Sequence, residues 1–279
     1  MSENYCFPVS FKHLFLQPIK FINMFLWDSI AFGPISSRRL GKSLGINILP
    51  TTKKICSFNC IYCECGWTLE RDFNDDDFYP VDTVMEAIEN KLINCRKDQI
   101  AIDSITFSGN GEPTMHPHFG QIIDGLIALR DRYYPGTIIT CLSNSTQLYR
   151  TEVREALLKI ENPLLKLDAG SDQLYRLINR PTLPVTFEEI VSYLRGFNGQ
   201  LIIQTLLFKG EIDDIYFDNS SGEELDLLIH HIVEIAPRSV MLYSLDRETP
   251  ARHLTKISKE DLEKVAEKIE KKGIKTSVY

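Results

Sequence analysis

Apolar, β-branched runs recur along the chain, separated by segments whose apolar residues fall three and four apart. Leu44 to Leu49 reads as a short strand ending at Pro50. Further strands are expected over Ala101 to Phe107, Thr137 to Leu142, Leu164 to Leu167, Leu201 to Phe208 and Ser239 to Leu245. The intervening helical segments carry start signals: Asp82 before Val84, Ala87, Ile88 and Leu92, capping-box spacing at Thr186/Glu189 and Ser221/Glu224, and Ser258 with Asp261. Six β-then-α units follow one another, with Ile274 to Val278 as a possible closing strand. This alternation demands a parallel sheet with right-handed crossovers. A closed eight-unit barrel usually needs ~250 residues or more, so six units from Leu44 onward predict an α/β fold of the partial (β/α)6 TIM type. The chemistry is then expected at the carboxyl ends of the strands.

At 279 residues and 43% hydrophobic content the chain can bury a sizeable core. Residues 24–279 are read as one domain. Residues 1–23 are apolar, but Pro8, Lys12, Gln17, Pro18 and Lys20 interrupt any membrane span, and no small-x-small cleavage site follows. That segment reads as an upstream extension of the gene model rather than a working part, with no role expected for Cys6. Residues 1–54 hold seven Lys or Arg against Glu3 and Asp28, a balance of +5, so the formal total of −7 leaves −12 for residues 55–279. An acidic body of this kind argues against broad electrostatic binding of nucleic acid.

The cysteines change the picture most. Of seven, four crowd between Cys56 and Cys65, a pattern that suits metal binding in a reducing compartment, so a cytoplasmic location is expected. Cys56-Ser-Phe-Asn-Cys60-Ile-Tyr-Cys63 can bring three thiolates to one metal centre, one ligand fewer than a closed four-cysteine cluster. An iron without a protein ligand can bind and polarise a small molecule. Structural zinc, with Cys65 as fourth thiolate, is the competing reading. Cys65 is left as spare ligand, substrate contact or neutral loop residue, while Cys95 and Cys141 read as buried and inert.

The predicted strand ends carry further candidates. The second runs into Ser108-Gly109-Asn110-Gly111-Glu112-Pro113-Thr114, where two glycines let the backbone turn and approach a ligand closely. The third ends in Ser143 and Asn144, the fourth at Asp168 after Lys166. Asp168 is costly there unless it faces a polar cavity. Gln204 lies within the fifth, and the sixth leads into Tyr243-Ser244-Leu245-Asp246-Arg247. Arg38 and Arg39 precede the first strand and should lie at the opposite mouth unless their segment wraps around the barrel; arginine's fork suits a carboxylate or phosphate. His116 and His118 are expected to begin a helix rather than hold a metal.

The CxxxCxxC loop and the Gly-Asn-Gly-Glu-Pro turn resemble the motifs of radical SAM enzymes. Gly33 to Thr68, Gly109 to Pro117, Lys166 to Pro181 and the end of the sixth strand look like an uncharacterised group of that superfamily related to the enzymes that form the wyosine base of transfer RNA. The resemblance implies a [4Fe-4S] cluster on Cys56, Cys60 and Cys63, with S-adenosylmethionine on the open iron. Reductive cleavage would give a 5′-deoxyadenosyl radical for hydrogen abstraction from an unidentified small molecule, modified nucleotide or protein. It also implies a low-potential donor such as flavodoxin or ferredoxin. Gly109, Asn110, Gly111, Glu112 and Pro113 would hold the cofactor's amino group. Asn144, beside Ser143, would reach a ribose hydroxyl, Arg180 the carboxylate, and Tyr62 and Phe58 the adenine; Asp168 would complete the site. Wyosine-forming enzymes carry a second cysteine cluster near their amino terminus, where this chain has only Cys6. An activator that installs a glycyl radical on a partner protein, and a non-catalytic zinc or iron–sulfur protein, remain as alternatives.

Overall fold

The computed structural model describes residues 25–69 and 73–279, so residues 1–23, including Cys6, and Met24 lie outside the described residues. The chain opens with an antiparallel hairpin, β1 (Ala31–Ser37) and β2 (Gly41–Ile46). From β2 onward it alternates: α1 (Val81–Lys97), β3 (Ser104–Phe107), α2 (Phe119–Tyr133), β4 (Ile138–Ser143), α3 (Thr151–Leu158) and β5 (Asn162–Lys166). Helices α4 (Asp172–Ile178) and α5 (Phe187–Arg195) lead to β6 (Ile202–Leu206), β7 (Phe208–Ile212) and β8 (Ile215–Asp218). Then come α6 (Gly222–Ile235), β9 (Ser239–Tyr243), β10 (Leu254–Lys256), α7 (Lys259–Glu270) and β11 (Thr276–Val278).

Eight strands form one sheet in the order β1-β2-β3-β4-β5-β6-β9-β11, parallel throughout except for the β1–β2 pair. The fold is a partial (β/α)6 TIM-type barrel, with β11 as the expected closing strand. Strand register sorts its side chains into two faces. Leu44, Ile105 and Ile139 align on one face, as do Ile46, Phe107 and Cys141 one pleat further on, all buried in the core with the helices. The other, concave face is polar. Ser43 donates to Thr106 at 2.8 Å, and Ser104 bonds Thr106 at 3.0 Å and Thr140 at 2.9 Å, so a ladder of hydroxyls satisfies its own polar groups inside the barrel. Lys166, Gln204 and Met241 align on this face.

The helices bury the faces their periodicity marks: Val84, Ile88, Leu92 and Cys95 in α1 recur three and four apart. The Thr186/Glu189 capping box forms as expected, and Ser258 caps α7 by accepting from the Asp261 amide. Two start signals are corrected. Helix α1 begins after Pro80, which places Asp82 in its first turn rather than at the cap. The Ser221/Glu224 box does not form; Glu224 reaches away to accept from Gly170 N at 2.5 Å and Ser171 N at 2.9 Å, fixing the turn after β5. The expected strand Leu201 to Phe208 breaks at Leu207, and Phe208 starts a separate three-stranded sheet, β10-β7-β8.

Candidate metal and cofactor site

The cysteine loop leaves β2 and is gripped from two sides by backbone pairing. Ile55 N donates to Asn110 O at 3.0 Å and Ile55 O accepts from Glu112 N at 2.9 Å, so the loop's start pairs with the turn after β3. On the other side Asn59 N donates to Asn179 O at 3.0 Å, Ile61 N to Ile178 O at 3.0 Å, and Thr182 N to Ser57 O at 2.8 Å. A Cβ on Gly111 would lie 1.8 Å from Ile55 O, so only glycine allows this approach, and its φ of +135° is one that side chains rarely adopt.

Each thiol of the CxxxCxxC loop faces a side-chain N–H donor, and Cys56 also receives the Phe58 amide at 3.5 Å. Asn144 Nδ2 stands 3.6 Å from Cys56 Sγ, Asn179 Nδ2 3.6 Å from Cys60 Sγ, and Lys54 Nζ 3.2 Å from Cys63 Sγ. Burial pushes Cys56 up to about 12 and Cys60 upward too, whereas a hydrogen bond from Cys65 and the Lys54 ammonium hold Cys63 well below the usual thiol range. Burial would lower Lys54, but Cys63, then Cys56 and Cys60, outweigh it and push its ammonium up. Among the described residues no three His, Cys, Asp or Glu side chains are drawn together tightly enough to ligate a single ion. The three thiols nonetheless interact electrostatically with one another and with Lys54. Cys65 donates its thiol to Gly109 O at 3.4 Å. The donor set facing the loop is therefore three sulfurs with hydrogen bonds already aimed at them, which fits a cluster with one iron open.

The turn after β3 is built around Glu112, whose buried carboxylate accepts from Asn144 N at 2.6 Å, Thr114 N at 3.0 Å and the Thr114 hydroxyl. Burial pushes its carboxyl up despite these donors. Pro113 starts the single 3-10 turn that follows. Asn110 spends both side-chain donors on Trp27 O and Pro50 O, each at 2.9 Å, and accepts from Trp27 N at 2.8 Å. Ser143 Oγ accepts from Ser145 N at 3.1 Å, and Asn144 also donates to Ser57 Oγ at 2.9 Å. The turn thus sets Asn110 O and Glu112 N against Ile55, Gly109 O against Cys65 and Asn144 against Cys56, while the Asn110 side chain is committed to Trp27 and Pro50.

Beyond Cys60 lies a second polar group. The Tyr62 hydroxyl donates to Asp168 Oδ2 and accepts from Asn179 Nδ2 at 2.8 Å, while its ring meets Phe208 edge-on at 5.1 Å. Burial first, and Asp168 second, push the Tyr62 phenol well upward, so it stays protonated. Asp168 is fully engaged, taking Lys166 Nζ at 3.1 Å and Leu206 N at 2.8 Å. Lys166 also donates to Tyr243 Oη at 3.1 Å. Arg180, at a φ of +48°, points its guanidinium at Asp213 at 2.8 Å and over the Trp67 ring.

Arg38 and Arg39 do not stay at the far mouth. The β1–β2 hairpin carries Arg38 to Asp246 at 2.6 Å and sets Arg39 over the Tyr243 ring at 4.6 Å, so the segment wraps to meet the exit of β9. Of the other strand-six groups, Ser244 donates to Leu207 O at 2.6 Å, and Arg247 pairs with Glu64 in the cysteine loop at 2.6 Å. His116 is buried with both ring nitrogens engaged, by Tyr79 O at 3.0 Å and His118 N at 3.1 Å; it ends the 3-10 turn, and His118 stands at the N-cap position of α2 without a side-chain cap bond. Lys54 and Asn179 are the residues that sequence reasoning missed; the only local signal was a lysine two positions before Cys56, and 119 residues separate Asn179 from the thiol it faces.

Comparison with known proteins agrees with this geometry. A family model described as Radical SAM superfamily matches residues 51–216. A UPF0026 protein of Helicobacter pylori J99 is 32% identical over 238 residues, covering 84% of this chain and 71% of the relative. A protein of Brachyspira hyodysenteriae named GTPase Obg is 35% identical over 237 residues, covering 84% of this chain but only 32% of the relative, so the chain spans about a third of that protein's length. Here Gly41-Lys42-Ser43 has Ser36, not glycine, five positions ahead and sits on a hairpin strand, so it is not a phosphate-binding P-loop. Streptococcus suis SuiB bound to S-adenosylmethionine superposes with a TM-score of 0.58 at 16% identity, covering 84% of this chain and 50% of SuiB, and thus shares the fold. With the family's motif region matched across more than half its length, this chain belongs to the radical SAM superfamily, whose members use a [4Fe-4S] cluster and S-adenosylmethionine.

Proposed function

We propose that residues 24–279 form one radical SAM enzyme domain in which Cys56, Cys60 and Cys63 hold the [4Fe-4S] cluster. The observation that carries this reading is that Cys56, Cys60 and Cys63 each face a side-chain N–H donor, Asn144, Asn179 and Lys54 respectively, whereas none of these three donors faces Cys65. Held there and reduced by one electron, the cluster and S-adenosylmethionine would supply a 5′-deoxyadenosyl radical, formed as the cofactor's carbon–sulfur bond breaks to release methionine, and that radical would take a hydrogen atom from substrate to become 5′-deoxyadenosine.

The chain's own groups orient and protect that chemistry. Gly109 and Gly111 bring backbone flush against the cysteine loop, leaving the turn from Gly109 to Pro113 to offer main-chain groups to the cofactor's amino group. Asn144 holds Cys56 and stands within reach of a cofactor hydroxyl. Lys54 keeps positive charge beside Cys63. Tyr62, Asp168 and Lys166 form a hydrogen-bonded wall beside Cys60, and Arg180 flanks the loop at Trp67. The electron comes from a low-potential donor of the flavodoxin or ferredoxin class, and a reducing, cytoplasmic setting suits the free thiols.

Anaerobic reconstitution followed by iron and sulfide analysis tests the ligand set. About four of each per chain are expected in the native protein, with loss on replacing Cys56, Cys60 or Cys63 by alanine. Zinc in place of iron, or a cluster that survives each replacement, would overturn it.

A further inference from the structure

Among the described residues, two buried donors inside the barrel have no partner. Arg39 Nη1 and Gln204 Nε2 are both sealed from solvent and make no hydrogen bond. Leaving a buried donor unmet is costly, more so when it is charged, so such groups mark a place suited to an acceptor. The two belong to one region. Gln204 on β6 stands directly opposite Lys166 on β5 and Met241 on β9, on the concave face, and Tyr243 lies two residues beyond Met241 on that same face. Arg39 enters from the β1–β2 hairpin and rests over the Tyr243 ring, whose hydroxyl accepts from Lys166.

Charge says what the acceptor is. Among the described residues Lys166 is balanced by Asp168, and Arg38 and Lys256 share Asp246, but no carboxylate meets Arg39. The region therefore holds cationic charge in excess, Arg39 among it, together with a neutral amide donor, a combination that suits an oxygen anion and disfavours a cation or an apolar group. It is also continuous with the proposed cluster site: Asn179 joins Cys60 to Tyr62, Tyr62 joins Asp168, and Lys166 carries the wall on to Tyr243 and Arg39.

We propose that Arg39 and Gln204, with Lys166 and Tyr243 between them, form the substrate subsite for an anionic oxygen group, a carboxylate or a phosphate. This rests on the radical SAM reading of the neighbouring site, and it narrows the substrate to molecules that carry such a group.

The test uses the anaerobically reconstituted full chain with S-adenosylmethionine present. Inorganic phosphate and acetate are titrated separately by calorimetry, with ionic strength held constant by chloride. Saturable binding of at least one is expected. Tighter phosphate assigns a phosphoryl group and tighter acetate a carboxylate. Arg39→Gln should weaken that binding about tenfold or more, Arg39→Lys should restore part of it, and Gln204→Leu should weaken it several-fold. Arg38→Gln should leave it unchanged. Binding of neither anion, or equal binding in Arg39→Gln shown by circular dichroism to be folded, overturns the subsite. Iron content is measured in each preparation, so that anion binding lost on Arg39→Gln in a protein that never takes up iron overturns the cluster reading and leaves the subsite standing.

Discussion

Lys54 Nζ stands 3.2 Å from Cys63 Sγ and also donates to Gly66 O at 2.7 Å, so a buried ammonium is locked against one thiol of the CxxxCxxC loop by a second bond within the loop itself. A buried cation is expensive unless paired, and the pairing here is with sulfur. Such a charge favours the more negative, reduced state of anything those thiols hold. Lys54→Met should therefore lower the cluster's reduction potential by roughly 60 mV or more, because a hydrogen bond to a charged group is worth ~1.5–3 kcal/mol and 59 mV is a tenfold change for one electron. Redox titration followed by electron paramagnetic resonance checks it, and an unchanged potential would contradict the role.

Gly111 reads from the sequence as a cofactor contact, but its neighbour in space is the cysteine loop. A side chain there would collide with Ile55 O, one residue before Cys56. Gly111→Val should thus cost about 3 kcal/mol or more of stability and reduce iron uptake, not merely cofactor affinity. Thermal melting and iron analysis of that variant decide the matter; full iron content with normal stability would show that the loop can move aside.

Cys65→Ala should retain both iron and cleavage of S-adenosylmethionine, since Cys65 acts as a hydrogen-bond donor toward Gly109 O and Cys63 rather than as a fourth thiolate. Removing it also frees Cys63 of one hydrogen bond, so a modest shift in potential is compatible. Loss of metal from this variant would make Cys65 a ligand and return the site to zinc.

His116 gives the fold a pH dependence of known sign. Burial lowers it from 6.5 to about 4, and with Nδ1 accepting from His118 N there is no room for a second ring proton. Between those values the unfolded chain takes up a proton that the folded chain refuses. Stability should fall as pH drops from 6.5 toward 4, by up to ~3 kcal/mol from this group. Denaturant melts across that window should be flatter in a folded His116→Gln variant, and an identical slope would remove His116 as the cause.

Much of this was legible because parallel strands buried on both faces read as β-branched runs, which placed six β/α units and the closing strand within a few residues. The first hairpin strand was hidden because Gly33-Pro34 looks like a breaker; the structure absorbs it as an irregularity between Phe32 and Ile35. The break at Leu207 was hidden because a strand that changes sheets keeps its apolar pattern. In the site, the cysteine spacing and the Gly109–Pro113 turn are local and could be read directly. The donors to the thiols are not. Asn179 reaches Cys60 only because residues 178–182 pair with the loop, and Glu224 abandons its expected cap because the turn at Gly170 and Ser171 offers three donors.

If three thiols, and no fourth, prepare this chain for reductive cleavage of S-adenosylmethionine, then anaerobic incubation of the reconstituted protein with S-adenosylmethionine and dithionite should yield 5′-deoxyadenosine. Formation of 5′-deoxyadenosine together with methionine is expected from the native chain and from Cys65→Ala, and none above background from the Cys56, Cys60 or Cys63 alanine variants. No 5′-deoxyadenosine from an iron-loaded native protein, or undiminished formation in any of those three variants, would contradict it.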